Sequence, residues 1–209
     1  MKKFLALLLV LLVLMGCTQA AEPVECPECE VCEPTGDPEL PEPRACGVAD
    51  DYSYECSSIK IGENLQDYLG RDDTVYIDLR DYADYGKAHI RNFESVPYFA
   101  LIRGMGDGAT EAGVQLYYGT LDEPTARYAE SEEILKALIP TDKVVFLMCQ
   151  SGGRVAQCMQ VLEKAGYDMS KIYNVGGMKY LEGNKNLNAV QTAEVAVEAT
   201  YNFEGLTQN

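Results

Sequence analysis

A stretch at residues 143–166 limits the folds open to this chain more than any other. It begins with six consecutive apolar residues, at 144–149, which carry no charge and do not alternate with polar residues. Such a run is typical of a strand buried on both faces of a parallel sheet. Apolar residues then recur at helical spacing over 155–165 and stop before Gly166, which predicts a helix that ends there. A strand that leads through a short loop into a helix predicts an α/β fold.

Chemically useful residues fill the loop between this strand and this helix. Cys149 ends the predicted strand. The loop that follows consists of small or polar residues: Gln150, Ser151, Gly152, Gly153 and Arg154. Ligands bind at the carboxyl ends of strands in open α/β sheets, and a tight loop entering a helix N-terminus points its N–H groups at an anion. The positive end of the helix also favours a thiolate, the nucleophilic form of a cysteine side chain.

These residue types predict a role for each position. Cys149 is predicted to be the catalytic nucleophile, in preference to a buried core cysteine. The four residues between Cys149 and Arg154 are predicted to bind the substrate with their backbone. Gly152 and Gly153 are predicted to give the loop conformations that a Cβ atom would prevent. Arg154, in the first helical turn, is predicted to support the loop and to add a fixed positive charge for an anion.

Two parts of the chain resemble the rhodanese-like family of domains. Residues 144–167, followed by 172–178, are similar to the active-site half of that family. Residues 75–98 are similar to the upstream half. The resemblance covers roughly residues 57–182, and its motifs are more specific in combination than any one of them alone.

Short motifs carry the upstream resemblance: Asp78-Leu79-Arg80, His89-Ile90 and Val96-Pro97. The family usually has glycine before the histidine and Gly-Ala soon after it, where this chain has Ala88, Asn92 and Phe93. The resemblance implies that His89 ties its loop down rather than acting as a base. Asp78 and Arg80 are expected to form a buried hydrogen-bonded pair that shapes the site rather than to react.

The resemblance implies a rhodanese-like three-layer α/β/α fold with a central, mostly parallel sheet. It also implies a sulfurtransferase that takes sulfur from a small anionic donor, such as thiosulfate, or from a persulfide. Cys149 would carry the sulfur as a persulfide within the ring of N–H groups and pass it to a thiol or cyanide in a second, ping-pong step.

Two other functions compete with sulfur transfer. Phosphatases and arsenate reductases share this layout but have a C-x5-R loop, and the interval from Cys149 to Arg154 is one residue shorter. A phosphate group needs the larger ring, so the spacing favours sulfur. The other alternative is a non-catalytic surface lipoprotein that uses the rhodanese-like module for binding.

The N-terminus is typical of a lipoprotein signal peptide at residues 1–16. Lys2 and Lys3 precede twelve apolar residues, which is too short for a membrane span. Residues 14–17, Leu-Met-Gly-Cys, resemble a bacterial lipobox, so Cys17 is the predicted lipidation site. The alternative is an ordinary secretory signal with a chance cysteine. Two acyl chains on Cys17 would anchor the protein to the extracytoplasmic face of the cell membrane.

Residues 17–45 are predicted to be an acidic, proline-rich linker. Three of its cysteines form a C-x2-C-x2-C motif: Cys26, Cys29 and Cys32. They are predicted to form disulfides outside the cell. The alternatives are a soft-metal site with Cys46 or Cys56 as the fourth ligand, or a relay that hands sulfur or electrons to the domain. Cys46 and Cys56 are alternatively predicted to pair with each other.

The formal net charge of −16 argues against nucleic-acid binding, which needs basic residues to neutralise phosphates. It also predicts slower association of anionic substrates. The sequence shows no nucleotide-binding motif and no metal-site pattern in the domain, so no cofactor is expected. It does not indicate an oligomeric state.

The remaining segments complete the predicted organisation. Residues 46–182 form the rhodanese-like domain and 183–209 a C-terminal extension with a short helix at 187–199. Residues 98–130 are longer than the usual connection, and their tyrosines predict either a wall over the site or an insertion packed on the sheet edge. Cys158, on the helix after the loop, is predicted to be a core residue.

Overall fold

Parallel strands at the centre of the molecule confirm the expected α/β fold with a central parallel sheet. The computed structural model describes residues 37–104, 113–191 and 199–209. Its strands are, in chain order, β1 (Thr74–Asp78), β2 (Ala88–Ile90), β3 (Glu94–Ser95), β4 (Tyr117–Gly119), β5 (Pro124–Ala126), β6 (Val144–Cys149), β7 (Ile172–Gly177) and β8 (Ala189–Gln191). The central sheet has the order β3-β1-β6-β7 with every pair parallel, whereas β2 with β8 and β4 with β5 form antiparallel pairs.

Helices connect and cover these strands. The α-helices are α1 (Tyr82–Lys87), α2 (Ser131–Leu138) and α3 (Gly153–Lys164). Other helical segments, which are not α-helices, lie at Leu65–Tyr68, Tyr98–Ile102, Met169–Lys171 and Met178–Gly183. The predicted end of α3 is confirmed, because Gly166 has a φ of 82° and the N–H of Tyr167 donates to the carbonyl of Leu162 at 3.0 Å.

Burial on both faces of the sheet explains the continuous apolar run of β6. Val145 and Leu147 face the layer that contains α3, and both are almost fully buried. Phe146 and Met148 face the opposite layer, which contains Leu65. Side chains alternate between the two faces of a strand. When both faces are buried, all side chains are apolar and the sequence shows no alternation of apolar and polar residues.

Both ends of the described chain pack on the domain. Arg44, in the predicted linker, donates to the carbonyls of Ile172 and Met169 at 3.0 and 2.6 Å. The compact unit begins at Asp37, so residues 37–45 are part of it. At the other end, the predicted helix at 187–199 is wrong over Ala189–Gln191, which form β8 beside β2. Residues 192–198 lie outside the described residues.

The insertion at 98–130 contains the hairpin of β4 and β5. Tyr117 and Tyr128 are buried in the same apolar cluster as α2 and α3, whereas Tyr118 is exposed. The Ser131 hydroxyl donates to the carbonyl of Leu116 at 2.8 Å and so holds the hairpin to the start of α2. The insertion therefore packs Tyr117 and Tyr128, as the second alternative predicted, but they lie in the cluster of α2 and α3 and are not shown to lie on the sheet edge.

Membrane association of the N-terminus is not tested by the fold, because residues 1–16 and Cys17 lie outside the described residues. Within the described residues, every helix is too short or too polar to cross a bilayer.

Candidate active site

Cys149 lies where the sequence predicts it, at the carboxyl end of β6. Its side chain is buried, and it is paired in register with Gly177 of β7. The backbone N–H of Gly152 points at its sulfur, with 3.2 Å between the nitrogen and Sγ. This contact is the kind that an anion-binding loop makes with a negatively charged sulfur.

The two glycines of the loop, Gly152 and Gly153, differ in whether their positions require glycine. Gly152 has a φ of 87°, in the left-handed region, and an added Cβ would lie 3.0 Å from the Cβ of Tyr54. Gly153 is the first residue of α3, and an added Cβ would meet open space there. The prediction of a required glycine is confirmed for Gly152 and wrong for Gly153, because helical backbone accepts any Cβ.

Asn174 holds the loop from the neighbouring strand. Its Nδ2 donates to the carbonyls of Tyr52 and Gly152 at 2.8 and 3.1 Å, and its Oδ1 accepts the N–H of Gly176 at 3.0 Å. A bulge in β7 puts Val175 out of register beside these groups. Sequence reasoning missed Asn174, although a single polar residue inside an apolar strand is a detectable signal of a buried hydrogen-bonded position.

The other loop residues have backbone rather than side-chain roles in this structure. Gln150 accepts the N–H of Lys179 on its carbonyl at 2.9 Å, which ties the loop to the segment after β7. The side chains of Gln150 and Ser151 are exposed. The carbonyl of Gly152 accepts the N–H of Ala156 at 3.0 Å and so starts the hydrogen bonding of α3.

Arg154 joins the loop to the end of β1. Its Nη1 lies 3.4 Å from the carbonyl oxygen of Leu79 and 3.6 Å from Oδ2 of Asp81. The guanidinium group also lies over the Phe99 ring, 5.3 Å from its centroid. These contacts engage the guanidinium with the end of β1 and with Phe99.

Asp78 and Arg80 form the buried pair that the sequence predicts. Both side chains are almost fully buried, and Nη2 of Arg80 lies 2.7 Å from Oδ2 of Asp78. Nε of Arg80 donates to both oxygens of Asp78 at 3.0 Å, and Nη2 also donates to the carbonyl of Ala88. Asp78 is paired with Met148 in the sheet, so the pair lies beside the end of the strand that carries Cys149.

His89 lies in β2, between two structural partners. Its ring stacks on Tyr85, with 4.2 Å between centroids, and its Nδ1 lies 3.1 Å from the carbonyl oxygen of Tyr85. Its backbone is paired with Val190 of β8. The hydroxyl of Tyr85 in turn donates to the carbonyl of Phe93. These contacts agree with the expectation that His89 ties down the chain after α1.

The described cysteines fall into a disulfide pair and two buried thiols. Cys46 and Cys56 form a disulfide, which confirms the predicted pairing and removes both from the thiolate sets that a linker metal site would need. Cys158 is fully buried in the apolar cluster around α3, as predicted. Burial, and then the nearby Cys149, raise the pKa of the Cys158 thiol. Three linker cysteines lie outside the described residues: Cys26, Cys29 and Cys32.

A cavity of about 300 Å³ adjoins the loop on the side of the disulfide. Residues 53–55 and 151–153 line it, together with Ala156, Lys179 and Tyr180. Burial raises the pKa of the Tyr54 hydroxyl, so this hydroxyl is uncharged at neutral pH. Sequence reasoning missed this wall, because residues 46–56 have no family motif and approach the loop only in the folded chain.

A comparison with protein families identifies the family of this domain. The family described as Rhodanese-like domain matches residues 62–182, which is more than half of the chain. No curated protein and no solved structure gives a significant match.

Proposed function

Because the chain belongs to the rhodanese-like family, which supports a sulfurtransferase-type or related function, we propose that it transfers sulfane sulfur through a persulfide on Cys149. The donor is thiosulfate or a persulfide, and the acceptor is a thiol or cyanide. The observation that carries the proposal is the position of Cys149 at a strand end, with the Gly152 N–H directed at its sulfur at 3.2 Å.

The first half-reaction loads the enzyme. The Cys149 thiolate attacks the outer sulfur of thiosulfate, and a new S–S bond forms while the S–S bond of thiosulfate breaks. The electron pair of the broken bond leaves with sulfite. The N–H groups at 150–154 stabilise the negative charge of the resulting persulfide, which is the task that a preorganised set of donors performs best.

The second half-reaction unloads it. The persulfide anion takes up one proton from water, an acceptor thiolate attacks its terminal sulfur, and the bond between the two sulfurs breaks. The electron pair returns to Cys149 as thiolate, and the acceptor leaves as a persulfide that carries the proton. Arg154, Asp78, Arg80 and His89 act as positioning residues in both steps, because their contacts hold the loop and the adjacent end of β1.

We also propose that the protein is lipid-anchored through Cys17 on the extracytoplasmic face of the cell membrane. The signal-like N-terminus supports this location. The disulfide between Cys46 and Cys56 supports it as well, because such bonds persist mainly in oxidising compartments.

Intact mass spectrometry before and after treatment with thiosulfate tests the proposed reaction. We expect the mass of one sulfur atom to be added, peptide mapping to place it on Cys149, and cyanide to remove it. The Cys149→Ser variant should lose at least 1000-fold in transfer rate, on the order found for catalytic nucleophiles, while its circular dichroism and melting curve stay close to wild type. Undiminished transfer by this variant would reject the assignment.

One observation favours the non-catalytic alternative. Cys149 is only 1% exposed, so its sulfur is almost inaccessible to a donor in this conformation. If the wild-type protein gains no sulfur while Cys149 is shown to be reduced, the module is a binding domain rather than an enzyme.

A further inference from the structure

The cavity beside the loop is built from three separate parts of the chain. Residues 53–55 come from the segment closed by the disulfide, residues 151–153 from the loop, and Lys179 and Tyr180 from the helical segment after β7. Its volume of about 300 Å³ is at the small end of the range for ligand sites and suits a molecule of amino-acid size.

Two stacked tyrosines form one wall of this cavity. The rings of Tyr54 and Tyr180 lie 4.1 Å apart at an angle of 17°. Tyr54 also packs against Gly176, where an added Cβ would lie 2.4 Å from its ring. The disulfide between Cys46 and Cys56 closes the segment that carries Tyr54, so the wall is preformed rather than assembled on binding.

Side chains of opposite charge stand at the rim. Lys179 has its Nζ 5.4 Å from the centroid of the Tyr180 ring, and Glu55 comes from the facing segment. Both side chains are exposed, and within the ranges that the structure describes neither is in a salt bridge. The rim therefore offers one cation for a carboxylate and one anion for an ammonium group.

The cavity reaches the loop that surrounds the reactive sulfur. Ser151, Gly152 and Gly153 line it, and Gly152 is the residue whose N–H points at the sulfur of Cys149. A thiol held between the rim charges and the loop therefore lies against the loop whose Gly152 N–H is directed at the sulfur of Cys149.

We infer, on the basis of the proposed function, that this cavity binds the acceptor, and that the acceptor is a small zwitterionic thiol such as cysteine. Lys179 binds its carboxylate, Glu55 binds its ammonium group, and the stacked tyrosines cover its carbon atoms. Until its thiol ionises, such a zwitterion has no net charge for the acidic protein to repel, which favours its approach to a chain with a formal net charge of −16. The thiolate of the acceptor attacks the terminal sulfur as described above, and cysteine persulfide is the product.

Four acceptors distinguish the contact made by Lys179 from the contact made by Glu55. Cysteine carries both charged groups, 3-mercaptopropionate carries only the carboxylate, cysteamine carries only the ammonium group, and cyanide carries neither. The full-length protein is loaded with thiosulfate and freed of excess donor. The second-order rate constant for discharge by each acceptor is then measured by rapid mixing and quenching, with the intact mass of the protein as the readout.

Two variants are expected to change these rate constants in opposite ways. Lys179→Met should lower the ratio of the rate constant for 3-mercaptopropionate to that for cysteamine about tenfold, and Glu55→Gln should raise it by a similar factor, as loss of one charge-assisted contact of ordinary strength implies. For cysteine relative to cyanide, both variants should lower the ratio. Lys185→Met and Glu133→Gln remove exposed charges away from the cavity and serve as matched controls.

Ratios that stay within twofold of wild type in both variants would overturn the inference and leave the sulfurtransferase proposal intact. Equal loss for all four acceptors would also overturn it, because that pattern indicates a disturbed loop rather than a lost contact. Failure of both thiosulfate and a small persulfide to load Cys149 in the wild-type protein would reject the proposed function, and this inference with it.

Discussion

The loop that carries Cys149 lies between two flanks that are built differently. The scaffold flank, formed by Asp78, Arg80, Asp81 and Arg154, consists of charges that are paired with each other or with backbone carbonyls. The recognition flank, formed by residues 46–56 and 178–180, consists of stacked aromatic rings, a disulfide and two rim charges outside any described salt bridge.

The two flanks are suited to two different tasks, which are to hold the loop backbone in place and to bind a ligand beside it. Charges that are already paired hold the backbone in place but have little capacity left for a ligand. Aromatic surface beside unpaired charges can bind a ligand, but it needs an external brace to keep its shape. The disulfide and Asn174 provide that brace, since Asn174 bonds both to Tyr52 in the recognition flank and to Gly152 in the loop.

The largest effect is expected on the scaffold flank. Arg80→Leu leaves the carboxylate of Asp78 buried without its partner and should lower the free energy of unfolding by about 3–5 kcal/mol. Urea denaturation measures this. The double variant Asp78→Leu/Arg80→Leu should recover part of the loss, because it removes the uncompensated charge as well.

An exposed ion pair provides the control for this experiment. Lys136→Met breaks the pair with Glu132 on α2, where both side chains are solvent-accessible, and should change stability by less than about 1 kcal/mol. Equal losses from Arg80→Leu and Lys136→Met would contradict the view that the scaffold flank depends on a buried pair.

The next effect concerns the recognition flank. Cys46→Ser/Cys56→Ser opens the disulfide loop and should lower the free energy of unfolding by about 2–3 kcal/mol through chain entropy. Because Tyr54 and Glu55 lie in that loop, discharge by cysteine should slow more than discharge by cyanide. Reductant should destabilise the wild-type protein by the same amount and leave the double variant unchanged; a reductant effect in both proteins would contradict the assignment.

A smaller effect is expected within the loop, where two neighbouring glycines form a matched pair. Gly152→Ala places a Cβ at positive φ and against Tyr54, and should lower stability by about 1–2 kcal/mol. Gly153→Ala adds a Cβ in open space on a helix and should raise stability by up to about 1 kcal/mol. Thermal denaturation of both variants checks the difference, and a shift of the same sign in both would be evidence against the observed loop conformation.

The smallest effect appears only at alkaline pH. Burial, and then the carboxylate of Glu163, raise the pKa of Tyr52 to about 12, so the folded state retains this proton after the unfolded state has lost it. The contribution of Tyr52 to stability is therefore complete below pH 10, the usual tyrosine pKa, and is lost as the pH rises from 10 towards 12. Unfolding measured between pH 8 and 11 should show a steeper loss in wild type than in Tyr52→Phe, whereas identical slopes would contradict a buried Tyr52.

Much of the fold and part of the site were predictable, because they depend on local pattern. The apolar run of β6, the spacing in α3 and Gly166 predict the strand, loop and helix at their observed positions. The buried pair of Asp78 and Arg80 was also expected from its motif. The helix predicted at 187–199 was wrong over β8, since a polar segment without strong periodicity adopts the structure that its partner strand β2 imposes.

Local sequence determined where the candidate nucleophile lies, how its loop turns and where the following helix ends, because backbone sterics and apolar periodicity act over a few neighbouring residues. Only the tertiary structure decided what surrounds that loop. It hydrogen-bonded Asn174 to Gly152 on the neighbouring element and stacked Tyr54 on Tyr180 across more than 120 residues of chain. Such contacts depend on packing between distant segments, and no pattern within either segment specifies its partner.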